Sequence, residues 1–481
     1  MRQADDRGGN RKAAAPAATP TWTPVPVRVG GAAPGTPGAA AGRSGNGHGL
    51  GVAELLARPQ MWGFCLTTAS VEFCRGALFI SLLPAYLTTV LHLSVASLGL
   101  VISVQYLSDT AFKIPAGWLV DRFGPWRVLL PFLAAAALAV YLLPHAHGLG
   151  PLLLLGVLFG LGTSANWPAV LSGSVHLGGM GSRASATSIT FLAWLAGGGI
   201  GPVLINFLVG RSFDLAFGVL AVVVSAGPLA AALGLLGVLH RPGDPPWRTP
   251  TASEQREGQA VLTSIRQSAW LVPGMFVQML ALGIVLPVLV PFARTHLHLT
   301  QPQYGVLLLG GGAVTVICLL PLSRLVDRIG SKGLLVAGFA LAGLAMVLVA
   351  LGSGEWDLLW RVGCLGFAYA LILPAWNGLT VGKIDAGRRG LLLAVFMTIE
   401  GLGQAIGPAI GGALYMRDYR LPFIVTAGIL VAVSIFYLAT PGRRFRASAD
   451  TSGGASAHGR APGPGPARAR PTPTVAEEDD R

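Results

Sequence analysis

Charged residues are scarce in this chain. Asp, Glu, Lys and Arg together make up 11% of its 481 residues, whereas hydrophobic types make up 52%. A soluble domain carries roughly 25% charged residues, so most of this chain does not face water. The 66 glycines show no period of three, which excludes a collagen-like fibre.

Cysteine is scarce as well, and no Cys-x-x-Cys pair occurs. The four cysteines lie in apolar stretches, which is typical of small buried residues rather than of disulfides, zinc ligands or nucleophiles. The sequence also lacks a phosphate-binding loop, a His-based triad and a metal-ligand spacing. We therefore expect no cofactor, no metal site and no enzymatic activity.

Acidic residues are fewer than basic ones, and the formal net charge is +13. Nucleic acid is one partner for such a chain, but aromatic residues do not alternate with the basic ones as a nucleic-acid groove requires. Basic loops of a membrane protein explain the charge better. We expect the lipid bilayer, and no nucleic acid, as a partner.

Long apolar stretches dominate instead. A helix needs about 20 apolar residues to cross a bilayer, and twelve stretches qualify, which predicts an all-α membrane protein. The predicted spans are 61–90, 95–120, 126–144, 151–176, 184–209, 214–239, 270–293, 303–325, 333–352, 357–381, 389–415 and 420–440.

A hydrophilic stretch divides these spans into six plus six. The predicted organisation is a disordered tail (1–57), a six-helix bundle (58–239), a cytoplasmic central loop (240–268), a second six-helix bundle (269–441) and a disordered tail (442–481). Lys and Arg concentrate in alternate loops, which places both termini in the cytoplasm. We expect a monomer in the bacterial cytoplasmic membrane.

The two halves repeat. Asp-Arg-Phe-Gly begins at Asp121 and Asp-Arg-Ile-Gly at Asp327, an offset of 206 residues (327 − 121). Pro168 and Pro374 share the same offset (374 − 168). A repeat of this kind predicts two pseudo-symmetric bundles with a central cavity near the middle of the membrane.

The loop after the second span resembles the signature loop of the major facilitator superfamily, and the loop after the eighth span is a weaker copy. That resemblance implies the major facilitator fold and a role for these loops in conformational gating. The matching residues are Gly117, Asp121, Arg122 and Gly124 in the first loop and Asp327, Arg328 and Gly330 in the second.

A Gly-rich element ending in Gly-Pro occurs in the fifth and eleventh spans. It resembles the Gly-x-x-x-Gly-Pro element of antiporter-type members of that superfamily. Close helix packing without any bearing on transport direction is an equally good interpretation. The residues concerned are Gly197, Gly201, Pro202, Gly407 and Pro408.

Four charged residues stand inside otherwise apolar spans. Glu72 and Arg75 are three apart in the first span, and Asp109 and Lys113 are four apart in the second, so each pair shares a helix face. Charges at membrane depth are costly and usually face a cavity with a partner. We predict a site for proton coupling and head-group binding. The alternative is an ion-pair cluster that only fixes helix packing, and Lys113 could instead extend to the cytoplasmic surface.

The second half has few such charges, Glu400 being the main exception. One charged and one mainly apolar half-cavity suit an amphiphile, with its polar head in the first half and its chains in the second. We predict that the cavity is lined by Trp167, Trp194, Trp376, Asn377 and Glu400.

The first-span Glu-x-x-Arg pair, the second-span Asp and the sequence Ile-Leu-Pro-Ala-Trp-Asn resemble the lipoteichoic-acid glycolipid flippases of this superfamily. The resemblance implies a proton-coupled antiporter that flips a diglucosyl-diacylglycerol lipid. It assigns the polar pocket to Glu72, Arg75 and Asp109 and matches Trp167 and Trp194 to aromatic positions. Glu400 departs from that pattern, which has Gln.

Two other functions fit the same sequence. A drug or small-solute efflux antiporter explains the Gly-Pro elements equally well. A membrane sensor with a transporter fold would bind without transporting, although no fused signalling domain supports it.

Overall fold

The computed structural model describes residues 52–178, 183–239, 269–352, 354–382 and 389–442, and in these ranges it is helical without strands. A short helix, Val52–Leu56, precedes the long ones. The long helices are α1 (Pro59–Thr89), α2 (Val95–Phe123), α3 (Pro125–His145), α4 (Leu149–Ser164 and Asn166–Gly178), α5 (Arg183–Val209), α6 (Phe213–Leu239), α7 (Ala269–Val285 and Leu289–His296), α8 (Gln301–Ile329), α9 (Ser331–Ala350), α10 (Glu355–Gly382), α11 (Arg389–Tyr415) and α12 (Leu421–Ala439).

The predicted all-α membrane class is confirmed. Within the described ranges, ten helices are long and apolar enough to cross a membrane, and α7 makes up to eleven if its two pieces, bent by 40°, are one span. The remaining predicted span is present as α11, a helix of 27 residues. It packs against α2 and α7.

Three of these helices are irregular where the hydropathy pattern predicts continuous spans. Helix α1 contains a π-helical segment, Ala77–Leu82, α4 is interrupted at Ala165, and α7 bends before Leu289. Hydropathy reports only whether a segment is apolar, so it cannot reveal a change in the backbone hydrogen-bond pattern. Such π-helical segments are frequent at functional sites.

The repeat is visible in the backbone at both ends of α2 and α8. Ser94 and Thr300 cap these helices through their side chains, and they are 206 residues apart (300 − 94). Gly124 and Gly330 end the same helices with φ of 84° and 87°, at the same offset (330 − 124). A side chain at such a φ is strained, so the signature glycines are needed for the turn itself.

The Gly-rich elements bring pairs of helices into backbone contact within each bundle. A Cβ atom added at Gly197 of α5 would lie 3.0 Å from Ala69 Cα of α1, and Gly201 meets α1 one turn later in the same way. A Cβ added at Gly407 of α11 would lie 2.7 Å from Gly283 Cα of α7. The two elements therefore make corresponding contacts in the two halves.

The α1–α5 contact gives a direct test of this packing. We expect Gly197→Ala to lower the apparent melting temperature of the protein in detergent, because overpacking a close contact costs about 1–3 kcal/mol. Gly198→Ala is the matched control, since its added Cβ has no atom within 4 Å. Equal melting temperatures for the two variants would refute the packing argument.

The two bundles meet along two seams, which we define by their helices. In the α2–α11 seam, a Cβ added at Gly99 would lie 3.0 Å from the Pro408 carbonyl carbon. Farther along, the Ala409 N–H donates to Ser103 Oγ at 2.9 Å. Residue numbers rise on one helix as they fall on the other, so the helices run antiparallel.

The α5–α8 seam is the counterpart of the first. Asn206 is fully buried and accepts a hydrogen bond from Gln301 Nε2 at 2.9 Å. Its own amide donates to Ser81 Oγ at 2.9 Å, in the π-helical segment of α1. A Cβ added at Gly305 would lie 3.0 Å from Asn206 Cβ. This seam lies at the predicted extracellular ends of its helices.

Candidate functional site

The charged residues of the first two spans form one connected cluster. Arg75 Nη2 lies 3.2 Å from Asp109 Oδ1, and Lys113 Nζ lies 3.0 Å from Asp109 Oδ2. The Asp109 side chain is 4% exposed, whereas those of Arg75 and Lys113 are 17% and 20% exposed. One nearly buried carboxylate is thus held between two cations from two helices.

Glu72 is the loosely held member of the cluster. Its Oε2 atom lies 3.9 Å from Arg75 Nε, one helical turn away. That separation is too long for a hydrogen bond, and within the described residues Arg75 Nε has no hydrogen-bond partner. Glu72 can therefore change partners with less disruption than Asp109.

Two neighbours of this cluster were missed by the sequence interpretation. Thr163 Oγ1 of α4 donates to Asp109 Oδ1 at 3.0 Å. The Tyr106 ring lies 6.0 Å from Arg75 Cζ, within range of a cation–π contact. Tyr106 stands three residues before Asp109 and so shares its face, which is a signal the sequence contains. Nothing in the sequence indicates Thr163, because it comes from another helix.

The pseudo-symmetry shows which neutral residue of the second half corresponds to Asp109. At the 206-residue offset, Thr315 of α8 corresponds to Asp109 of α2 (315 − 109). Thr315 Oγ1 donates to the Gly366 carbonyl of α10 at 3.0 Å. Gly366 corresponds to Gly160 of α4 (366 − 160), which packs against the backbone of Asp109. The same helix contact therefore has a charged centre in one bundle and a neutral one in the other.

Glu400 extends the polar region into the second half. The Trp376 indole hydrogen-bonds with the Glu400 carboxylate, and Trp376 itself is buried. The cation whose charge acts on Glu400 is Lys113 of the other bundle. Glu400 is the charge that the sequence analysis singled out in the mainly apolar second half, and it approaches the cluster because α11 packs on α2. The Asn377 side chain lies outside the described residues.

The two tryptophans predicted to line the first half-cavity are half-buried. Trp167 follows the break in α4, and its indole N–H has no hydrogen-bond partner among the described residues. Trp194 of α5 stacks on Phe191, with ring centroids 5.1 Å apart. Their contribution to substrate binding stays a prediction.

The charged residues of the first signature loop, Asp121 and Arg122, are exposed, whereas Gly124 is buried. Gly117 faces α4, where an added Cβ would lie 3.9 Å from Pro168 Cβ. Arg122 lies over the Trp118 ring at 5.4 Å. Asp121 is exposed, and it forms no ion pair among the described residues. In the second loop, Arg328 is exposed and the Asp327 side chain lies outside the described residues.

In the described part of the chain, no three His, Cys, Asp or Glu side chains are grouped in a way that could hold a metal ion. The four cysteines are free and none is exposed. The charged cluster is the candidate site because it holds a nearly buried carboxylate between two cations inside predicted membrane spans.

Repeated helical halves that meet along two seams, with charges at membrane depth, define the class of secondary transporters. The sequence profile of the Major Facilitator Superfamily matches residues 64–273 and 271–472. The chain therefore belongs to the Major Facilitator Superfamily.

Two curated relatives have the same name. The chain is 28% identical over 381 residues to the proton-coupled antiporter flippase LtaA of Staphylococcus haemolyticus (strain JCSC1435), covering 76% of this chain and 90% of the relative. It is 24% identical over 376 residues to the protein of the same name from Staphylococcus aureus (strain N315), covering 76% and 91%.

Solved transporter structures share the fold. A bacterial homologue of the human lysosomal transporter Spinster superimposes with a TM-score of 0.64 at 16% identity, covering 81% of this chain and 97% of the other. The nucleoside transporter NupG gives a TM-score of 0.60 at 14% identity, covering 79% and 98%.

Proposed function

We propose that this protein is a proton-coupled antiporter that flips an amphiphilic glycolipid across the bacterial cytoplasmic membrane by alternating access. The observation that carries the proposal is the buried Arg75–Asp109–Lys113 arrangement, with Glu72 beside it. Carboxylates held by cations at membrane depth can exchange a proton for a hydroxyl-rich head group as access alternates. The curated relatives, which are named proton-coupled antiporter flippases, support the same function.

The roles within this site follow from the distances. Asp109 has three close donors, so its charge is well compensated. Glu72 has one partner at 3.9 Å, so it would be the first of the two carboxylates to take up a proton or to bind a substrate hydroxyl. Arg75 lies between the two carboxylates, so protonation of one of them would strengthen the interaction of Arg75 with the other.

The positions of the two seams indicate to which side of the membrane the cavity opens in this structure. With both termini in the cytoplasm, as the basic loops suggest, the seams lie at the extracellular ends of their helices. The cavity would then open to the cytoplasm in this state, where a newly made glycolipid would enter. The protein would work as a monomer, since each chain holds both bundles.

A second candidate is efflux of a cationic small solute. It is favoured by Glu400, whose carboxylate lies beside the aromatic side chains of Trp376 and Tyr369. An acidic group among aromatic rings suits an organic cation.

A flipping assay in proteoliposomes tests the proposal. Purified protein is given fluorescent diglucosyl-diacylglycerol with and without a proton gradient. We expect gradient-dependent flipping by the wild type and loss of the gradient-dependent part in Glu72→Gln, because the amide has the same shape but cannot release a proton. The readout is the fraction of label reached by a membrane-impermeant quencher.

Asp214→Asn is the matched control, because Asp214 is an exposed acid in the first turn of α6. It should flip lipid at the wild-type rate. If the wild type flips no more than empty liposomes, the glycolipid proposal fails, and uptake of a cationic dye by the same liposomes would then favour efflux.

A further inference from the structure

The lower part of the α2–α11 seam brings the two bundles together at the charged cluster. A Cβ added at Gly401 of α11 would lie 3.0 Å from Thr110 Cγ2 of α2. Lys113 is three residues after Thr110, so it lies on the same face one turn farther from the predicted outer end. Glu400 precedes Gly401 on the antiparallel helix and so lies toward the same end.

Lys113 is bound to its own bundle in this state. Its Nζ atom lies 3.0 Å from Asp109 Oδ2, while Arg75 and Thr163 both contact the other oxygen, Oδ1. A proton arriving at Oδ2 would leave these two contacts in place. It would remove the negative charge that holds Lys113.

Glu400 is the carboxylate next to which a released Lys113 would come. It receives a hydrogen bond from Trp376, and the cation acting on it is Lys113. The other titratable groups at this place are Tyr369 on the side of α10 and Glu72, Arg75 and Tyr106 in the first bundle. Arg75 contacts Asp109 Oδ1 and keeps that contact when Oδ2 is protonated, so Lys113 is the cation that is released.

We propose that Lys113 exchanges partners between Asp109 of its own bundle and Glu400 of the opposite bundle, and that protonation of Asp109 drives the exchange. In the first pairing, the Lys113 charge is neutralised within one bundle, and the bundles are free to separate below Thr110. In the second pairing, the ion pair crosses the interface and draws the inner halves of α2 and α11 together. Protonation of Asp109 thus moves the Lys113 ion pair from within the first bundle to the interface between the bundles.

The proposal rests on the proton-coupled transport proposed above, but its test needs no substrate. Spin labels are placed at Trp118→Cys in α2 and Ile329→Cys in α8, both exposed on opposite bundles, with the native cysteines replaced. The distance between the two spin labels is measured by pulsed electron paramagnetic resonance in lipid nanodiscs. Asp109→Asn imitates the protonated acid and should raise the ratio of short to long distances on the order of 10-fold.

Adding Glu400→Gln to Asp109→Asn should return the long distances, because Lys113 then loses the Glu400 carboxylate as its partner across the interface. The matched control is Asp109→Asn with Asp214→Asn, which removes the same charge elsewhere and should keep the short distances. Identical distributions for Asp109→Asn with and without Glu400→Gln would overturn the proposal.

A second measurement covers the case in which Asp109→Asn does not fold. Acidification should shorten the distance in otherwise unaltered protein, and Lys113→Met should abolish that response. A full response in Lys113→Met would also overturn the exchange. Because both readouts are conformational, failure of glycolipid flipping alone would leave them unaffected and would count only against the proposed substrate.

Discussion

Asp109→Asn is expected to reduce proton-driven transport to the level of empty liposomes. Asp109 contacts Arg75, Lys113 and Thr163 at the same time. The amide keeps the shape but leaves two cations at membrane depth without their shared anion, and removal of one partner of a buried pair costs about 3–5 kcal/mol. Transport of the labelled lipid under a proton gradient is the measurement, with protein recovery from the membrane recorded in parallel.

Two controls separate loss of function from loss of folding. Asp214→Asn makes the same chemical change at an exposed site and should transport at the wild-type rate. Size-exclusion profiles in detergent should show Asp109→Asn as a single folded species. Near-normal transport by a well-folded Asp109→Asn protein would remove the cluster from the mechanism.

A disulfide across the α5–α8 seam is expected to stop transport. Asn206→Cys and Gly305→Cys would place two Cβ atoms about 3.0 Å apart, and a small outward shift reaches the disulfide range of about 3.5–4.5 Å. Alternating access requires this seam to open, so oxidation should reduce transport to background and a reducing agent should restore it. The native cysteines are replaced in this experiment.

The matched control uses the same Asn206→Cys change with Ser81→Cys. These two side chains touch within the first bundle, where Asn206 Nδ2 lies 2.9 Å from Ser81 Oγ. A crosslink there does not join the two bundles, so transport should survive oxidation. Full transport by the Asn206–Gly305 crosslinked protein would mean that this seam stays closed throughout the cycle.

The sequence predicts those features of the fold that depend on local composition. Twelve apolar stretches correspond to twelve helices in the described ranges, and the repeat appears again in the capping of α2 and α8. The interruptions in α1, α4 and α7 were not predicted, because hydropathy does not report the backbone hydrogen-bond pattern. A segment such as Ala77–Leu82 is as apolar as its neighbours.

The site divides in the same way. Helical spacing alone pairs Glu72 with Arg75 and Asp109 with Lys113, and the structure joins the two pairs through Arg75 and Asp109. Contacts between distant helices could not be predicted from spacing. Thr163 lies on α4 and Glu400 on α11, whereas the cluster residues they interact with lie on α2. Spacing along one helix therefore could not connect either residue to the cluster.

The π-helical segment of α1 changes the direction in which the side chains after it point around the helix axis. An extra residue in a helical turn rotates everything beyond it by about 100° relative to a regular α-helix. Arg75 lies before this segment and Ser81 lies within it. The first faces Asp109 of α2 and the second faces Asn206 of α5. The extra residue of the π-helical segment thus lets Arg75 face the charged cluster while Ser81 faces the α5–α8 seam. Deleting one residue here would rotate one of the two side chains away from its partner, so the number of residues in this segment is constrained.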